Sequence, residues 1–227
     1  MIGRVRALTL RTRRGAAPQA LPSADAIAAT GLAQDVHADP LSPRQLLLAG
    51  ADVYADLALP PWALRENLLL DFDTALDTAQ LRSGAVLQVG SEVRLRLMFQ
   101  CEACGQLDVH RPGLARAVGP RRGILARVLA GGKMHVGDPV RDLGPLLPAW
   151  PDDWQARVLR VLETVPPVTV VTYAQLARLA GIQASYCRAM PGMLRRLGPA
   201  YADKAVAQGA QPALPRWMGE GLFDDEL

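Results

Sequence analysis

The sequence VLQVGSEVRLRLMF, residues 86–99, predicts a β-hairpin whose two arms meet at a Gly-Ser pair. The second arm alternates, with Val93 and Leu95 on one face and Arg94 and Arg96 on the other. This alternation is typical of a strand that packs one face against a core. The hairpin therefore indicates β structure in the first part of the chain.

Other short apolar segments separated by glycine predict further strands. Residues 5–10 predict the first strand, residues 44–49 a buried strand, and residues 124–140 a second hairpin that turns at Gly131 and Gly132. Many short strands without a repeated strand-helix-strand pattern favour a closed barrel. We therefore expect a mainly β domain with short helical insertions.

Two cysteines in the motif CEAC, Cys101 and Cys104, follow the hairpin directly. A cysteine attacks electrophiles and binds soft metals as its thiolate, and nearby positive charges favour that form. Four arginines follow within about 20 residues: Arg111, Arg116, Arg121 and Arg122. The pattern alone leaves three alternatives open: reactive thiols, two half-buried structural cysteines, or a zinc site completed by two histidines.

Composition limits the class of protein. The chain has 227 residues and three cysteines, and its net charge of +3 is too small to indicate an anionic partner by itself. Few cysteines in an odd number favour a reducing compartment. The N-terminus has no apolar signal segment and no stretch approaches the roughly 20 apolar residues of a membrane span. We expect a cytoplasmic protein that does not enter a membrane.

The hydrophobic period changes after a proline-rich stretch, residues 143–153. From Trp154 onward, apolar residues recur at helical spacing, and the two preceding aspartates mark a helix start. We therefore predict a β-barrel domain over residues 1–142, a linker over residues 143–153, and a second, α-helical domain over residues 154–227 that ends in the acidic tail DDEL.

The second domain carries a helix-turn-helix pattern. TYAQLARLAG, residues 172–181, predicts a helix with Thr172 as N-cap, Gln175 closing a capping box and Gly181 ending it. A second helical segment, residues 185–198, follows and is interrupted by Pro191. Residues 157–216 hold eight basic and two acidic side chains, a local excess that suits a nucleic-acid partner.

Six segments occur in the order found in MOSC domains, which the first 142 residues resemble: GLAQDVH, PRQLLL, LRENLLL, LRSGAVLQVG, EACGQL and GGKMHVGDPV. The resemblance implies a β-barrel with a pocket for the molybdopterin form of the molybdenum cofactor. It implies that Cys104 ligates molybdenum or carries sulfur as a persulfide. Cys101 is then an auxiliary thiol that resolves a persulfide or sulfenic acid formed on Cys104.

A molybdopterin presents a phosphate and a polar ring system, which require arginine and amide groups at the pocket wall. Side chains of these types lie in the matched motifs. The candidate cofactor-binding residues are Asp35, His37, Arg44, Arg65 and Asn67. For each of them the alternative is a structural role; Asp35, for example, would cap a turn or pair with an arginine.

Residues 154–197 resemble the DNA-binding domain of O6-alkylguanine-DNA alkyltransferases and alkyltransferase-like proteins, a winged-helix fold. Tyr173 matches the family tyrosine that helps to rotate a flipped nucleotide, and Arg188 matches the arginine that fills the vacated stack. The acceptor motif PCHR is missing, so we expect no alkyl transfer. A protein-docking module that keeps the fold without binding DNA is the alternative.

Two function classes follow. In the first, the protein is a molybdenum-dependent enzyme that reduces N-hydroxylated or N-oxygenated compounds, including modified nucleobases, with electrons from a separate protein. In the second, it is a non-catalytic cofactor or sulfur carrier, served by a sulfur donor protein, or a module that binds DNA lesions. The sequence shows no flavin, iron–sulfur or haem motif, so any electrons come from a partner.

Overall fold

The computed structural model of the protein describes residues 1–73 and 76–224. The chain forms two compact units: Met1–Pro40 with Arg44–Trp150, and Leu41–Pro43 with Pro151–Leu227. We call them unit 1 and unit 2. Of the predicted acidic tail, residues 225–227 lie outside the described residues. The predicted boundaries of two domains and a linker remain a prediction.

Unit 1 is built mainly from short strands. In chain order they are β1 Gly3–Leu10, β2 Gln19–Leu21, β3 Ser23–Ile27, β4 Gly31–Leu32, β5 Leu46–Gly50, β6 Leu68–Phe72, β7 Ala85–Val89, β8 Val93–Gln100, β9 Ile124–Ala130, β10 Gly132–His135 and β11 Pro139–Pro145. Two α-helices accompany them, α1 Ala51–Leu57 and α2 Leu114–Val118. Helices of 3-10 type cover Leu107–Val109 and Gly119–Arg122.

Seven of these strands close into a barrel. Their order is β11-β7-β8-β9-β5-β6-β1, and β1 also pairs with β11. Strand β2 adds to the edge of β1, while β10, β3 and β4 form a separate small sheet. The predicted mainly β barrel is confirmed.

One pair of barrel strands, β5 and β6, runs parallel, whereas every other pair in the barrel is antiparallel. Parallel neighbours need a crossover connection, and α1 lies within the segment that joins them. Apolar residues of α1 and α2 pack with outward-facing residues of β5 and β6, so a second apolar cluster lies outside the barrel. The crossover therefore covers the outer face at the β5–β6 seam.

The barrel interior is filled by inward-facing aliphatic side chains of every barrel strand, including Leu48, Leu68, Leu95 and Val140. The residue just before β9 must be small, because its backbone lies very close to the backbone of β5. Gly123 has φ +115°, and a Cβ at this position would lie 2.2 Å from the carbonyl oxygen of Leu48. Only glycine allows β9 to begin this close to β5.

The predicted hairpin over residues 86–99 is confirmed, because β7 and β8 pair in antiparallel register. The predicted hairpin over residues 124–140 is wrong: β9 pairs with β5 and β8, whereas β10 pairs with β3. The outward face of β8 is also more buried than its alternation predicts. Arg96 is 2% exposed and donates to the carbonyl oxygen of Pro148 at 2.6 Å.

Unit 2 is mainly helical, with α3 Trp154–Thr164, α4 Tyr173–Leu179, α5 Met190–Leu197 and α6 Pro199–Ala202. A 3-10 helix covers Ala184–Arg188, and two short strands, β12 Val171–Thr172 and β13 Ala205–Val206, pair in parallel. The buried Arg157 donates from Nε to the carbonyl oxygen of Ala180 at 3.0 Å, which ties α3 to the end of α4. None of the helices in the described residues has both the length and the apolar character that crossing a membrane requires.

The helix signals of unit 2 are confirmed in part. Thr172 Oγ1 accepts a hydrogen bond from the backbone N–H of Gln175 at 3.1 Å, as an N-cap does. The predicted second bond of the capping box, in which the Gln175 side chain reaches back to the backbone N–H of Thr172, is wrong. That side chain donates to the carbonyl oxygen of Met218 instead. Pro191 lies in the first turn of α5, where its missing N–H costs no helical hydrogen bond.

Candidate functional site

A buried carboxylate organises one end of the barrel. The Asp35 side chain is fully buried, and its Oδ2 accepts from the backbone N–H of Arg11 at 2.9 Å and from Asn67 Nδ2 at 3.1 Å. Its Oδ1 accepts from the backbone N–H of His37 at 2.8 Å and contacts His37 Nδ1 at 2.9 Å. Burial alone would raise the pKa of Asp35, but these hydrogen bonds outweigh it and hold the pKa below its ordinary value.

Asn67 links three segments through its side-chain amide. Its Oδ1 accepts from the backbone N–H of Leu47 at 3.1 Å, while its Nδ2 donates to the carbonyl oxygen of Thr9 at 3.2 Å and to Asp35. The ends of β1, β5 and β6 are thereby held together. The amide and the Asp35 carboxylate use their hydrogen-bonding capacity within the protein, so they position the site.

His37 lies at the edge of this network, with its side chain 43% exposed. The contact with Asp35 Oδ1 is a hydrogen bond only if Nδ1 carries the proton, so we assign the neutral ring that tautomer. Arg11 Nη2 lies 3.5 Å from the same Nδ1. The other ring nitrogen, Nε2, is then a hydrogen-bond acceptor in the neutral ring.

Arg11, Arg65 and Arg122 form a cluster in which the charges of Arg65 and Arg122 act on Arg11. Burial is the main cause that lowers the pKa of Arg11, and the positive charges of Arg65 and Arg122 lower it further. The negative charge of Asp35 opposes them. Arg122 is only 7% exposed, and its Nε and Nη1 have no hydrogen-bond partner among the residues that the structure describes. Buried charged donors without partners cost several kcal/mol, on the order of 2 or more, unless a ligand satisfies them.

Arg65, the third member of the arginine cluster, has a left-handed backbone conformation with φ +57°. A non-glycine residue pays about 1 kcal/mol or more for this conformation, which persists where surrounding contacts enforce it. Here the backbone N–H of Arg65 donates to the carbonyl oxygen of Trp62 at 2.9 Å. The turn leaves Arg65 half-buried and close enough to Arg11 for its charge to lower the pKa of Arg11.

Glu66 follows Arg65 and forms a hydrogen-bonded pair with Tyr54 of α1. Tyr54 Oη donates to Glu66 Oε2 at 2.7 Å and accepts from the backbone N–H of Leu64 at 3.0 Å. Burial is the main cause that raises the pKa of Glu66. Hydrogen bonds from its own backbone N–H and from Tyr54 oppose it, and so do the charges of Arg122 and Arg11. The pair therefore connects the arginine cluster with α1.

The cysteine turn begins next to Arg122. The backbone N–H of Cys101 donates to the carbonyl oxygen of Gly123 at 2.8 Å, and the Cys101 side chain is buried. Cys104 is half-buried, and its carbonyl oxygen accepts from the backbone N–H of Leu107 at 2.9 Å. Within residues 1–73 and 76–224 there is no group of three or more His, Cys, Asp or Glu side chains that could hold a metal, which is what a zinc site would need.

Two of the four arginines after the cysteines contact α1. Arg111 Nη1 donates to the carbonyl oxygen of Leu57 at 3.3 Å, and Arg121 Nη1 donates to Asp56 Oδ2 at 2.7 Å. Arg116 is exposed on α2. Arg122 differs from these three arginines, because its charge lowers the pKa of Arg11.

The structure brings four predicted site residues together: Asp35, His37, Arg65 and Asn67. Arg44 is half-buried before β5, and the interactions described for the network do not include it. Tyr173 is half-buried at the start of α4 and Arg188 is exposed, both in unit 2. The roles assigned to all these residues, and to Cys101 and Cys104, stay predictions.

Sequence reasoning missed Arg11 and Tyr54 as site residues, and it named Arg122 only as one of four basic neighbours of the cysteines. Arg11 follows the last residue of the predicted first strand, a position that commonly carries site residues. That strand end is the signal that could have found it. Tyr54 gives no such signal, because its partner Glu66 lies outside α1, in the segment just before β6.

Residues 42–141 match the MOSC domain. The matched segment includes Arg65, Glu66, Asn67, both cysteines of the CEAC motif and Arg122, whereas Arg11, Asp35 and His37 precede it. Asp35 is nevertheless hydrogen-bonded to Asn67 of the matched segment, and Arg11 donates its backbone N–H to Asp35. A search of curated proteins found no match to the chain.

Solved structures with the same fold exist. The YUAD protein from Bacillus subtilis is similar with a TM-score of 0.53 at 18% identity, covering 62% of this chain and 94% of its own. A structure described as a hypothetical protein has a TM-score of 0.52 at 19% identity, covering 86% of this chain and 91% of its own. YiiM from Geobacillus stearothermophilus has a TM-score of 0.49 at 14% identity, covering 84% of this chain and 98% of its own. The first two support the fold of the barrel.

Replacing Asp35 tests its role as the organising carboxylate. Because its pKa is lower in the folded than in the unfolded protein, Asp35 stabilises the fold above about pH 4, and this stabilisation is lost as pH falls through the folded pKa. Asp35→Asn should lower the free energy of unfolding at pH 7 by about 2 kcal/mol or more. Below about pH 4 the variant should lose stability less steeply than the wild type.

Urea unfolding at a series of pH values measures both effects. Asp71→Asn is the control, because Asp71 forms an exposed ion pair with Arg6 and its replacement should change stability by about 1 kcal/mol at most. Equal effects of the two substitutions would contradict an organising role for Asp35.

Proposed function

We propose that unit 1 binds the molybdopterin form of the molybdenum cofactor, with the cluster of Arg11, Arg65 and Arg122 holding its phosphate and Cys104 ligating molybdenum. The observation that carries the proposal is the buried Arg122 guanidinium, whose Nε and Nη1 have no partner among the described residues. Arginine is well suited to phosphate, since its planar fork donates two parallel hydrogen bonds. The match of residues 42–141 to the MOSC domain supports the choice of cofactor.

The charges present fit an anionic group. Among the described residues, two arginine charges, Arg65 and Arg122, and two carboxylates, Asp35 and Glu66, act on the pKa of Arg11. Burial raises the pKa of Glu66. Asp35 already holds His37 and Arg11 through its hydrogen bonds. A phosphate would supply the negative charge that this cluster lacks, and its oxygens would accept from the unpaired donors of Arg122.

We further propose that the protein reduces N-hydroxylated or N-oxygenated compounds, with electrons from a separate donor protein. When bound, the cofactor would supply a metal that changes its oxidation state. The chain itself would supply a soft thiolate ligand at Cys104, a second thiol at Cys101 and, at His37 Nε2, a ring nitrogen that can form a hydrogen bond with a substrate. A non-catalytic carrier of the cofactor or of sulfur is the alternative, and turnover of an N-hydroxylated compound distinguishes the two.

The cofactor proposal predicts separable effects of two substitutions. Cys104→Ala should lower bound molybdenum at least tenfold, because the soft ligand is lost, whereas Cys101→Ala should lower it only slightly. Arg122→Met should lower bound pterin at least tenfold, since two charge-assisted hydrogen bonds are each worth about 1.5–3 kcal/mol. Molybdenum and pterin are quantified in protein purified from a host that makes the cofactor.

Arg116→Met is the matched control, because Arg116 is an exposed arginine on α2. It should retain the wild-type content of both components. Wild-type molybdenum in Cys104→Ala would remove Cys104 from the site. Wild-type pterin in Arg122→Met would remove the arginine cluster.

For unit 2 we propose duplex DNA as the partner, with Tyr173 and Arg188 as contact residues. The supporting observation is that Arg188, Arg195 and Arg196 are all exposed on the segment that follows α4.

The full chain should bind duplex DNA with an affinity that falls steeply as salt rises. Arg188→Ala should weaken binding to mismatched duplex more than binding to matched duplex, as measured by fluorescence anisotropy. No binding at low salt would leave a protein-docking module.

A further inference from the structure

A cavity of about 340 Å³ lies in unit 1, beside α1 and the segment that joins α1 to β6. Its wall is largely apolar and includes Leu59, Pro61, Trp62 and Leu69. This volume is at the small end of the range for ligand sites, about 300–1,000 Å³. None of its described lining residues belongs to the arginine cluster or to the cysteine turn, so the cavity is separate from the proposed cofactor site.

Trp62 of the cavity wall has an unusual backbone conformation. Its φ is +63°, in the left-handed region, where a bulky side chain is an outlier. Two hydrogen bonds hold the turn: the backbone N–H of Ala63 donates to the carbonyl oxygen of Pro60 at 3.2 Å, and that of Arg65 donates to the carbonyl oxygen of Trp62 at 2.9 Å. Residues held in such conformations are frequent where a ligand is clamped. The turn therefore fixes a large aromatic side chain at the cavity.

Glu66 is one of the two charged residues in the described lining, and its carboxyl group is not available to a ligand. The residue is 1% exposed, and its Oε1 is buried. The carboxyl group accepts hydrogen bonds from Tyr54 Oη and from its own backbone N–H, and the charges of Arg122 and Arg11 act on it. The Tyr54 hydroxyl is occupied as well, because it donates to Glu66 and accepts from Leu64. These polar groups bond within the protein and leave recognition to the other charged residue.

Arg6 of β1, the other charged residue of the described lining, has unused hydrogen-bond donors. Its side chain is 58% exposed, and Nη1 donates to Asp71 Oδ1 at 3.0 Å. Its Nε and Nη2 have no hydrogen-bond partner within residues 1–73 and 76–224. A guanidinium presents these donors as a planar fork that matches the two oxygens of a carboxylate. The accessible polar group of the cavity is therefore cationic, and it selects a ligand with a carboxylate.

We propose that this cavity binds a small aromatic monocarboxylate. The ring packs against Trp62 and Leu59, and the carboxylate accepts from Nε and Nη2 of Arg6. Aromatic and aliphatic side chains of this kind bind planar rings through dispersion and hydrophobic contact. A single negative charge suits the site, because Asp71 shares the guanidinium and would repel a second charge more strongly. The inference does not rest on the proposed cofactor, since none of its steps requires molybdenum or pterin.

Cinnamate and cinnamamide test the proposal as a matched pair. They share ring, shape and size, but the amide is neutral and offers one oxygen acceptor where the acid offers two. Cinnamate should bind the full chain, purified without cofactor, at least tenfold more tightly than cinnamamide, as measured by titration calorimetry. Acetate, a carboxylate without a ring, should show no binding at the same concentrations. In protein-detected NMR the Trp62 side-chain N–H signal should shift on titration with cinnamate.

Three substitutions separate the charge of Arg6 from its surroundings. Arg6→Met should lower the affinity for cinnamate to that for cinnamamide, because only the acid uses the fork. Asp71→Asn should raise the affinity for cinnamate about twofold to fivefold, since a competing exposed charge is removed. Arg4→Met is the matched control: Arg4 is exposed on the same strand, two positions before Arg6, and is not a lining residue. It should leave the preference for cinnamate unchanged.

Trp62→Gly tests the aromatic wall. Glycine adopts the left-handed conformation without strain, so the turn is kept while the ring is lost. Both compounds should bind this variant at least tenfold more weakly than they bind the wild type. If the variant does not fold, as judged by its circular dichroism, the NMR shift of Trp62 and the Arg6 substitution decide.

Equal affinity of the wild type for acid and amide, or no binding of cinnamate at millimolar concentration, would overturn the proposal. A preference for cinnamate that persists in Arg6→Met would also overturn it, by assigning recognition to another cation. Unchanged affinities in folded Trp62→Gly would place the ligand outside this cavity. None of these results bears on the cofactor proposal, because molybdenum and pterin contents are measured independently.

Discussion

The Asp35 carboxylate is the constraint on which the site depends. It is fully buried, and the hydrogen bonds that satisfy it come from three separate segments: the end of β1, the turn containing His37, and the residue before β6. A buried carboxylate that lost these donors would cost several kcal/mol, on the order of 3–5, so the three segments are held in one arrangement. That arrangement places Arg11 beside Arg65 and Arg122.

The arginine cluster follows from this arrangement together with the crossover at β5 and β6. The segment containing α1 returns the chain to β6 through the left-handed turn at Arg65, and Tyr54 of α1 holds Glu66. Arg122 lies at the end of the loop that carries the cysteines, directly before Gly123, which allows β9 to approach β5. Positive charge from three parts of the chain is therefore gathered with too little negative charge to balance it, which is the physical basis for proposing an anionic ligand.

The parts of the fold that depend on local pattern could be predicted from sequence. Alternation predicts β7 and β8, and a short connection makes their pairing the simplest one. The same reasoning fails for β9 and β10, because glycines between two strands do not force them to pair when other strands compete. In the site, the segment resemblance finds Arg65 and Asn67, whereas the bond between Arg11 and Asp35 joins residues 24 positions apart, which no local pattern indicates.

The central claim is that a cofactor anion occupies the arginine cluster while Cys104 ligates the metal. Anomalous diffraction at the molybdenum edge, on crystals of protein made in a host that synthesises the cofactor, tests both parts at once. The account predicts a molybdenum peak within bonding distance of Cys104 Sγ. It also predicts phosphate density within hydrogen-bond distance of Arg122 Nε and Nη1. Molybdenum away from Cys104, or an Arg122 guanidinium paired only with protein groups in the loaded crystal, would contradict it.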